Sequence, residues 1–242
     1  MDKILQLGVP NIHTVGACEY SDKDLNLIFP PEARPVECTT LQGLVDLHDG
    51  ELDDAKTKGD LLVHIVSPTA VQLISRESDE HGRRRVWAQA TYPIAKTFAF
   101  GAFMDPETFI ISAQAFFQRT KLETDDGTFA RDLDYVLGIA SKISAEQVQS
   151  NDDDGIAQRV SVRSGVVLKA ETALRPLVML APYRTFAEVD QVLSRFVFRA
   201  RVGNDSVTLA LFEGDGGRWR LAATDAIAAW LEPEFGDTPV IR

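Results

Sequence analysis

The chain has 242 residues, of which 45% are hydrophobic and 25% charged, a composition typical of a folded globular protein and not of a disordered chain. Its formal net charge of −11 argues against broad nucleic-acid binding, because lysine and arginine supply most of the affinity for phosphate. No stretch approaches the roughly 20 apolar residues of a membrane-spanning helix, and the N-terminus lacks a signal-peptide pattern. We therefore expect a cytoplasmic protein with no membrane partner.

Residues 1–39 are predicted to form an extended N-terminal arm. Four prolines interrupt this segment, and proline both fixes φ and lacks an amide donor. The interrupting residues are Pro10, Pro30, Pro31 and Pro35. Because no secretion signal is present, free thiols are favoured for Cys18 and Cys38, although a disulfide between them is left open.

Residues 40–150 are predicted to form a β-meander followed by helices. A short helix is expected after Thr40, and three antiparallel strands are expected between residues 60 and 92, where apolar and polar side chains alternate. Asp105 followed by proline is a typical helix start, and a second helix is predicted from about Thr128. These helices form the predicted centre of the molecule.

Residues 151–242 are predicted to form an antiparallel β lobe with a C-terminal helix at about 224–231. In the predicted strand FVFRARV, Phe196 and Phe198 lie on one face while Arg199 and Arg201 share the other, which indicates one buried and one exposed face. The order of strands, helices, strands and helix predicts an α+β fold with mainly antiparallel sheets, in which two β-rich lobes flank a central helical segment.

No pattern typical of a catalytic, cofactor-binding or metal-binding site is found in the sequence. The segment 152–155 lacks the alternating ligands of a calcium loop, and the glycine-rich segment 213–217 lacks the lysine of a phosphate-binding loop and is predicted to be a turn. The histidines are scattered along the chain: His13, His48, His64 and His81. We therefore expect a protein that is not an enzyme and that holds neither a cofactor nor a metal.

Arginines next to aromatic residues are the best candidates for contacts with an anion or with another protein. Arginine binds phosphate through two parallel hydrogen bonds, and aromatic rings stack on exposed bases. The outer face of an antiparallel sheet is also often polar because it meets water. The candidates form two groups, one near residues 83–87 and one near residues 199–201, and Arg195 extends the second group into a basic strip. The candidate contacts are Arg83, Arg84, Arg85, Trp87, Arg199 and Arg201.

The segment PLVMLAPYRTFAEVDQVLSRFVFRARVGNDSVTLALFE, preceded by TFARDLDYVLGIASKISAEQ, resembles an uncharacterised family of phage and prophage proteins, the YfdQ-like proteins. The resemblance extends from about residue 35 to the end of the chain and rests on the order of the blocks. It implies a phage or prophage origin and the cytoplasm of a bacterial host cell. The family supplies no activity and no functional residue.

Charge is distributed unevenly along the chain, which suggests self-association. Residues 1–60 contain twelve acidic and five basic residues, whereas residues 155–220 contain six acidic and ten basic residues. Complementary surfaces on one chain favour head-to-tail contacts, so we predict a non-enzymatic phage protein that assembles into a homo-oligomeric ring or shell. The alternative is an accessory factor of phage DNA metabolism or defence evasion that binds single-stranded nucleic acid or a small anion. An enzyme with a dispersed site is a third hypothesis.

Overall fold

The structure is a computed structural model, and it divides the chain into two compact units, Met1–Pro35 and Val36–Arg242. For residues 12–15, 18–21, 27–28, 122–123, 129–130, 144–145, 147–153, 158–164, 167–173 and 202, it describes only the backbone. The described residues are 12–15, 18–21, 27–28, 34–50, 60–79, 82–93, 97–119, 122–123, 129–130, 132–145, 147–153, 158–164, 167–202 and 207–242.

The first unit contains three strands, β1 (Ile12–Val15), β2 (Cys18–Ser21) and β3 (Leu27–Ile28). They pair antiparallel in the order β1-β2-β3. The segment predicted as an extended arm therefore includes a small sheet. The first unit ends at Pro35, before the predicted boundary at residue 39, because residues 36–38 form a strand of the second unit.

The second unit contains four helices and fourteen strands among its described residues. Its helices are α1 (Leu41–Asp49), α2 (Pro106–Phe116), α3 (Asp132–Ala145) and α4 (Trp219–Phe235). Its strands are β4 (Val36–Cys38), β5 (Leu61–Ser67), β6 (Ala70–Ser75), β7 (Val86–Thr91), β8 (Phe117–Gln118), β9 (Leu122–Glu123), β10 (Phe129–Ala130), β11 (Gln147–Asp153), β12 (Gln158–Ser164), β13 (Val167–Leu174), β14 (Leu177–Pro182), β15 (Ser194–Val202), β16 (Val207–Glu213) and β17 (Val240–Ile241).

A five-stranded sheet has the order β17-β5-β6-β7-β4. The central strands β5, β6 and β7 form the predicted antiparallel meander, whereas β4 and β17 pair parallel to its two edges. Both edge strands are short, which limits the exposed row of backbone donors and acceptors.

Cys38 at the end of β4 is a free thiol that donates to the Gln89 carbonyl at 3.4 Å. The burial of Cys38 raises the pKa of this thiol, and the nearby Glu37 carboxylate makes a smaller contribution in the same direction.

Helices α1 and α4 pack against the five-stranded sheet and close the first hydrophobic core. The N-terminus of α1 is capped twice: the Thr40 hydroxyl accepts from the Gly43 amide at 3.1 Å, and the Glu188 carboxylate accepts from the Leu41 amide at 2.7 Å. Glu188 lies between β14 and β15, and the same connection inserts Phe186 into this core. The Glu188 cap therefore fixes the connection between β14 and β15 against the start of α1.

A four-stranded sheet has the order β16-β15-β14-β8 and packs its inner face against α2 and α3. The predicted alternation in β15 is confirmed, since Phe196 and Phe198 are fully buried in this second core. The predicted start of α2 is also confirmed, because the Asp105 carboxylate accepts from the Thr108 amide at 2.9 Å, which lowers the pKa of Asp105. A buried carboxylate, Asp132 at the start of α3, accepts from the Met179 amide at 2.7 Å.

The α+β class with mostly antiparallel sheets is confirmed, but the structural grouping differs from a division at residue 150. The first core combines α1 and the meander with α4, and β17 pairs with β5. The second core combines α2 and α3 with β14–β16. Each core thus uses both predicted segments, because its contacts join residues distant in sequence. No described helix has the length and hydropathy needed to cross a bilayer.

Two helices differ from their predicted bounds. Helix α3 begins at Asp132, and Phe129, which was predicted within it, lies in β10. Helix α4 is longer than the predicted 224–231 because it begins at Trp219 and extends past Pro233 in its last turn. Leu221 is 71% exposed, so the first turn of α4 lacks the buried apolar stripe by which helices are predicted.

Candidate functional site

The Arg83–Arg85 run lies where the chain enters β7, and Arg83 is bound within its own loop. Its guanidinium contacts the Asp79 carboxylate, with Nη2 to Oδ2 at 2.7 Å and Nε to Oδ2 at 2.9 Å. The Arg83 amide also donates to the other oxygen of this carboxylate at 2.8 Å. Arg83 therefore already binds an anionic side chain, that of Asp79, four positions earlier in the chain.

The rest of this basic run is also engaged with the β6–β7 hairpin. Arg84 donates from Nη1 to the carbonyl oxygens of Arg76 and Ser75, the latter at 3.3 Å. The Arg85 guanidinium lies 3.5 Å from the centre of the Trp87 ring, and Trp87 Nε1 donates to the Ser75 hydroxyl at 2.9 Å. These interactions stiffen the hairpin and occupy the groups that were predicted to meet a ligand.

Arg199 and Arg201 lie on β15, in the other sheet, so the predicted contact residues fall into two separate groups. Arg201 is exposed and its guanidinium lies 4.0 Å from the centre of the Phe103 ring. Arg199 is half-buried and has an interaction partner of its own. The predicted outward direction of both residues agrees with their positions, since Arg199 lies between the buried residues Phe198 and Ala200 and Arg201 directly follows Ala200.

A pocket of about 490 Å³ lies beside β15, at the N-terminal turn of α4. It is formed where Met179 of β14 and the first residues of β15 meet the glycine-rich loop that precedes the helix. Its apolar walls are Met179, Val192, Leu193, Leu221 and Ala222. Its polar and aromatic residues are Ser194, Arg195, Asp215, Arg218, Trp219 and Asp225, and Gly214 completes it.

The loop before α4 is held in one conformation by its own hydrogen bonds, and its predicted turn is confirmed. The Gly214 amide donates to the Arg195 carbonyl at 2.9 Å, and the Asp215 carboxylate accepts from the Gly217 amide at 3.0 Å. Gly217 has a φ of 82°, and a Cβ there would lie 2.8 Å from Arg220 Nη1. Glycine at this position therefore lets the chain enter α4 close to the arginines.

Two arginines of this pocket are exposed and unpaired within the part of the chain that the structure describes. Neither Arg195 nor Arg218 forms a side-chain hydrogen bond or ion pair there. Asp225, by contrast, is bound by Arg242 at 2.9 Å. The backbone amides of the first helical turn add positive partial charge, since α4 has no side-chain cap. The pocket therefore attracts negative charge.

Arg184 lies beneath the pocket and connects its parts. Its Nη1 donates to the Glu213 carboxylate at 2.8 Å and its Nη2 donates to the Ser194 hydroxyl at 2.5 Å, while its guanidinium lies 4.1 Å from the Trp219 ring centre. Burial lowers the pKa of Arg184 to about 10, so this side chain is still cationic at neutral pH. Arg184 thereby fixes Ser194 and Trp219, which line the pocket.

Helix α4 has charges of opposite sign at its two ends. Arg218 and Arg220 are exposed at its N-terminal end, whereas Glu232, Glu234 and Asp237 are exposed at its C-terminal end. This is the reverse of the arrangement that stabilises a helix, because the backbone dipole is positive at the N-terminus and negative at the C-terminus. The charges and the dipole therefore add to each other, and α4, at 17 residues, separates its two charged ends by roughly 25 Å.

Among the described residues, no group of three histidine, cysteine, aspartate or glutamate side chains is placed to hold a metal ion. His48 is buried between α1 and the end of α4, where its Nε2 lies 3.1 Å from the Thr238 hydroxyl and its ring packs 4.7 Å from that of Phe235. Its described surroundings are those of a core histidine. The acidic segment 152–155 lies outside the residues whose side chains are described.

Comparison with known proteins found no matching family model, no similar curated protein and no similar solved structure. The resemblance to the YfdQ-like family stays a prediction. Sequence reasoning included Arg195 in a basic strip but missed Arg218 and the pocket between them. The sequence pattern that could have predicted this site is the pair of glycines directly before Arg218-Trp219-Arg220. Such a pair allows a tight turn that places the charged and aromatic start of a helix next to the preceding strand.

Proposed function

We propose that this protein is a non-enzymatic assembly protein that forms a homo-oligomer through head-to-tail contacts. The observation that carries the proposal is the charge arrangement of α4. Arginines without an ion-pair partner among the described residues surround its N-terminal end, and exposed carboxylates surround its C-terminal end. We refer to Arg195, Arg218 and Arg220 as the basic end, and to Glu232, Glu234 and Asp237 as the acidic end.

The two ends are complementary to each other and not to themselves. A contact between the basic end of one copy and the acidic end of the next leaves a free end on each copy, so it repeats. Repetition closes into a ring or a shell where the rotation between neighbours permits closure, and otherwise continues as a filament. The 17-residue length of α4 holds the two ends apart and prevents them from neutralising each other within one chain.

The unfavourable effect of these charges on α4 is a second argument for the proposal. Each charge of the wrong sign at a helix end destabilises the helix by roughly 0.3–1 kcal/mol. A neighbouring copy would remove this cost, because each end would then face charges of the opposite sign. In this proposal the acidic partner is the C-terminal end of α4, which replaces the acidic residues 1–60 of the prediction from sequence.

The cellular setting in this proposal is the cytoplasm of a bacterial host, in agreement with the phage or prophage origin that the sequence resemblance implies. Single-stranded nucleic acid is the weaker alternative, because Arg83 and Arg84 are bound to acceptors of their own loop and Arg85 stacks on Trp87.

Sedimentation velocity at two salt concentrations tests the proposal. Electrostatic screening acts over roughly 30 Å at 0.01 M salt and 3 Å at 1 M salt, so a contact between charged ends depends strongly on salt. We expect a species larger than the 26.7 kDa monomer at low salt and its dissociation at high salt. A monomer under both conditions would exclude self-assembly, and an oligomer insensitive to salt would exclude the charged ends as the contact.

A further inference from the structure

We propose that the pocket at the N-terminal turn of α4 binds a small amphiphilic anion, namely a carboxylate or a phosphate monoester that carries an apolar group. This ligand site is a function beyond self-association. It combines two cationic side chains, apolar walls and a volume of about 490 Å³ in one place.

The cationic part of the site consists of Arg195 on β15 and Arg218 before α4. Each guanidinium presents its donors in a planar fork that fits a carboxylate or phosphate through parallel hydrogen bonds. Both side chains line the pocket, and neither has a partner among the described residues. Their backbones are held together, because Gly214 donates to the Arg195 carbonyl and Arg218 donates to the Asp215 carbonyl at 3.3 Å. An anion between them would meet a preformed arrangement.

The apolar part of the site is the reason to expect more than a simple inorganic ion. Leu221 is 71% exposed at the mouth of the pocket, and Met179, Val192 and Leu193 are only half-buried along its walls. An apolar group on the ligand would cover these side chains and gain from the removal of their surface from water. The volume lies within the range of roughly 300–1,000 Å³ that is typical of small-molecule sites.

Two carboxylates limit the number of charges that the ligand can carry. Asp225 forms an ion pair with Arg242, the Asp215 carboxylate accepts from the Gly217 amide, and both carboxylates line the pocket. A ligand with a single anionic head fits between the arginines, whereas an extended polyanion would bring further negative charge against Asp215 or Asp225. The site therefore favours a compact head group over the backbone of a nucleic acid.

Isothermal titration of the full-length protein tests this site. The probes are phenyl phosphate, phenylacetate and inorganic phosphate, with phenethylamine as a cationic control of similar size. We expect one site per chain for at least one of the two amphiphilic anions, weaker binding of inorganic phosphate and no binding of phenethylamine. Comparison of phenyl phosphate with phenylacetate identifies the preferred head group.

Three variants locate the site. Arg195→Gln and Arg218→Gln should each weaken binding about tenfold or more, because each removes a charge-assisted hydrogen bond. Arg201→Gln is the matched control, since Arg201 lies on the same strand and face as Arg195 but stacks on Phe103 outside the pocket. It should bind like the wild type. Circular dichroism confirms that each variant is folded.

The inference is overturned if neither amphiphilic anion binds saturably, if inorganic phosphate binds as tightly as phenyl phosphate, or if Arg201→Gln weakens binding as much as Arg195→Gln. These outcomes are distinct from a failure of self-assembly. Because Arg195 and Arg218 also belong to the basic end of the proposed contact, the titration is carried out at a protein concentration at which sedimentation finds the monomer, so a neighbouring copy does not compete with the probe.

Discussion

The two groups of arginines in this protein differ in what their side chains contact. Arg83, Arg84 and Arg85 are consecutive and form the most conspicuous basic run of the sequence, yet each is engaged with the hairpin that carries it. Arg195 and Arg218 are separated in sequence, but they line one pocket and have no partner among the described residues. The comparison teaches that the presence of nearby acceptors, and not the number of neighbouring basic residues, determines whether an arginine is available to bind a ligand.

The largest expected effect concerns self-association. The double variant Arg195→Glu, Arg218→Glu should weaken it more than about 100-fold, because like charges would then face each other across the contact. The matched variant Arg83→Glu, Arg84→Glu makes the same change in net charge and should assemble like the wild type. Sedimentation equilibrium measures both. Equal loss in the two double variants would show that net charge, and not the basic end, controls assembly.

A second effect separates a buried arginine from the exposed ones. Arg184→Met should lower the free energy of unfolding by about 2 kcal/mol, since it removes bonds to Glu213 and Ser194. The loss is moderate because Glu213 is 39% exposed and water would replace part of the interaction. Arg218→Met is the control and should not lower stability. Urea denaturation measures both, and equal losses would contradict the distinction.

A third substitution is expected to increase stability and not to lower it. Arg218→Asp should raise the free energy of unfolding by roughly 0.5–1 kcal/mol, because a negative charge at the N-terminal end of α4 complements the helix dipole. The same variant should assemble less well than the wild type. Urea unfolding at low salt, at a protein concentration at which both chains are monomeric, measures the stability, and sedimentation at low salt and higher concentration measures assembly. A variant less stable than the wild type would contradict the proposed strain at this end of α4.

The smallest effect is expected for the basic run. Arg83→Gln removes a partly exposed ion pair with Asp79, and such pairs contribute about 0.5 kcal/mol. Its effect on stability should decrease further with salt, while assembly and anion binding should not change. A clear loss of anion binding in Arg83→Gln would transfer the ligand site to the other sheet.

Part of this organisation was predictable from sequence because its causes are local. The alternation around Phe196 and Phe198, the Asp105-Pro106 helix start and the turn at 213–217 each follow from residue spacing or backbone preference. The α+β class follows from the order of these elements.

Other features depend on contacts between distant residues and could not be predicted from local patterns. The parallel pairing of β4 and β17 at opposite edges of one meander joins residues from both ends of the second unit. The approach of Arg218 to Arg195 depends on the loop bonds made by Gly214. The engagement of Arg83 by Asp79 was likewise hidden, because the sequence shows a basic run but not the conformation that brings an acceptor to it.

A mixing experiment with charge-reversed variants tests the head-to-tail contact most directly. One variant carries Arg195→Glu and Arg218→Glu and therefore has two negative ends; the other carries Glu232→Arg and Glu234→Arg and has two positive ends. Sedimentation velocity at low salt should find each variant monomeric alone and an assembly larger than the monomer when they are mixed in equal amounts, with the two kinds of chain alternating. A mixture that stays monomeric, or assembly of either variant by itself, would contradict the contact between the two ends of α4.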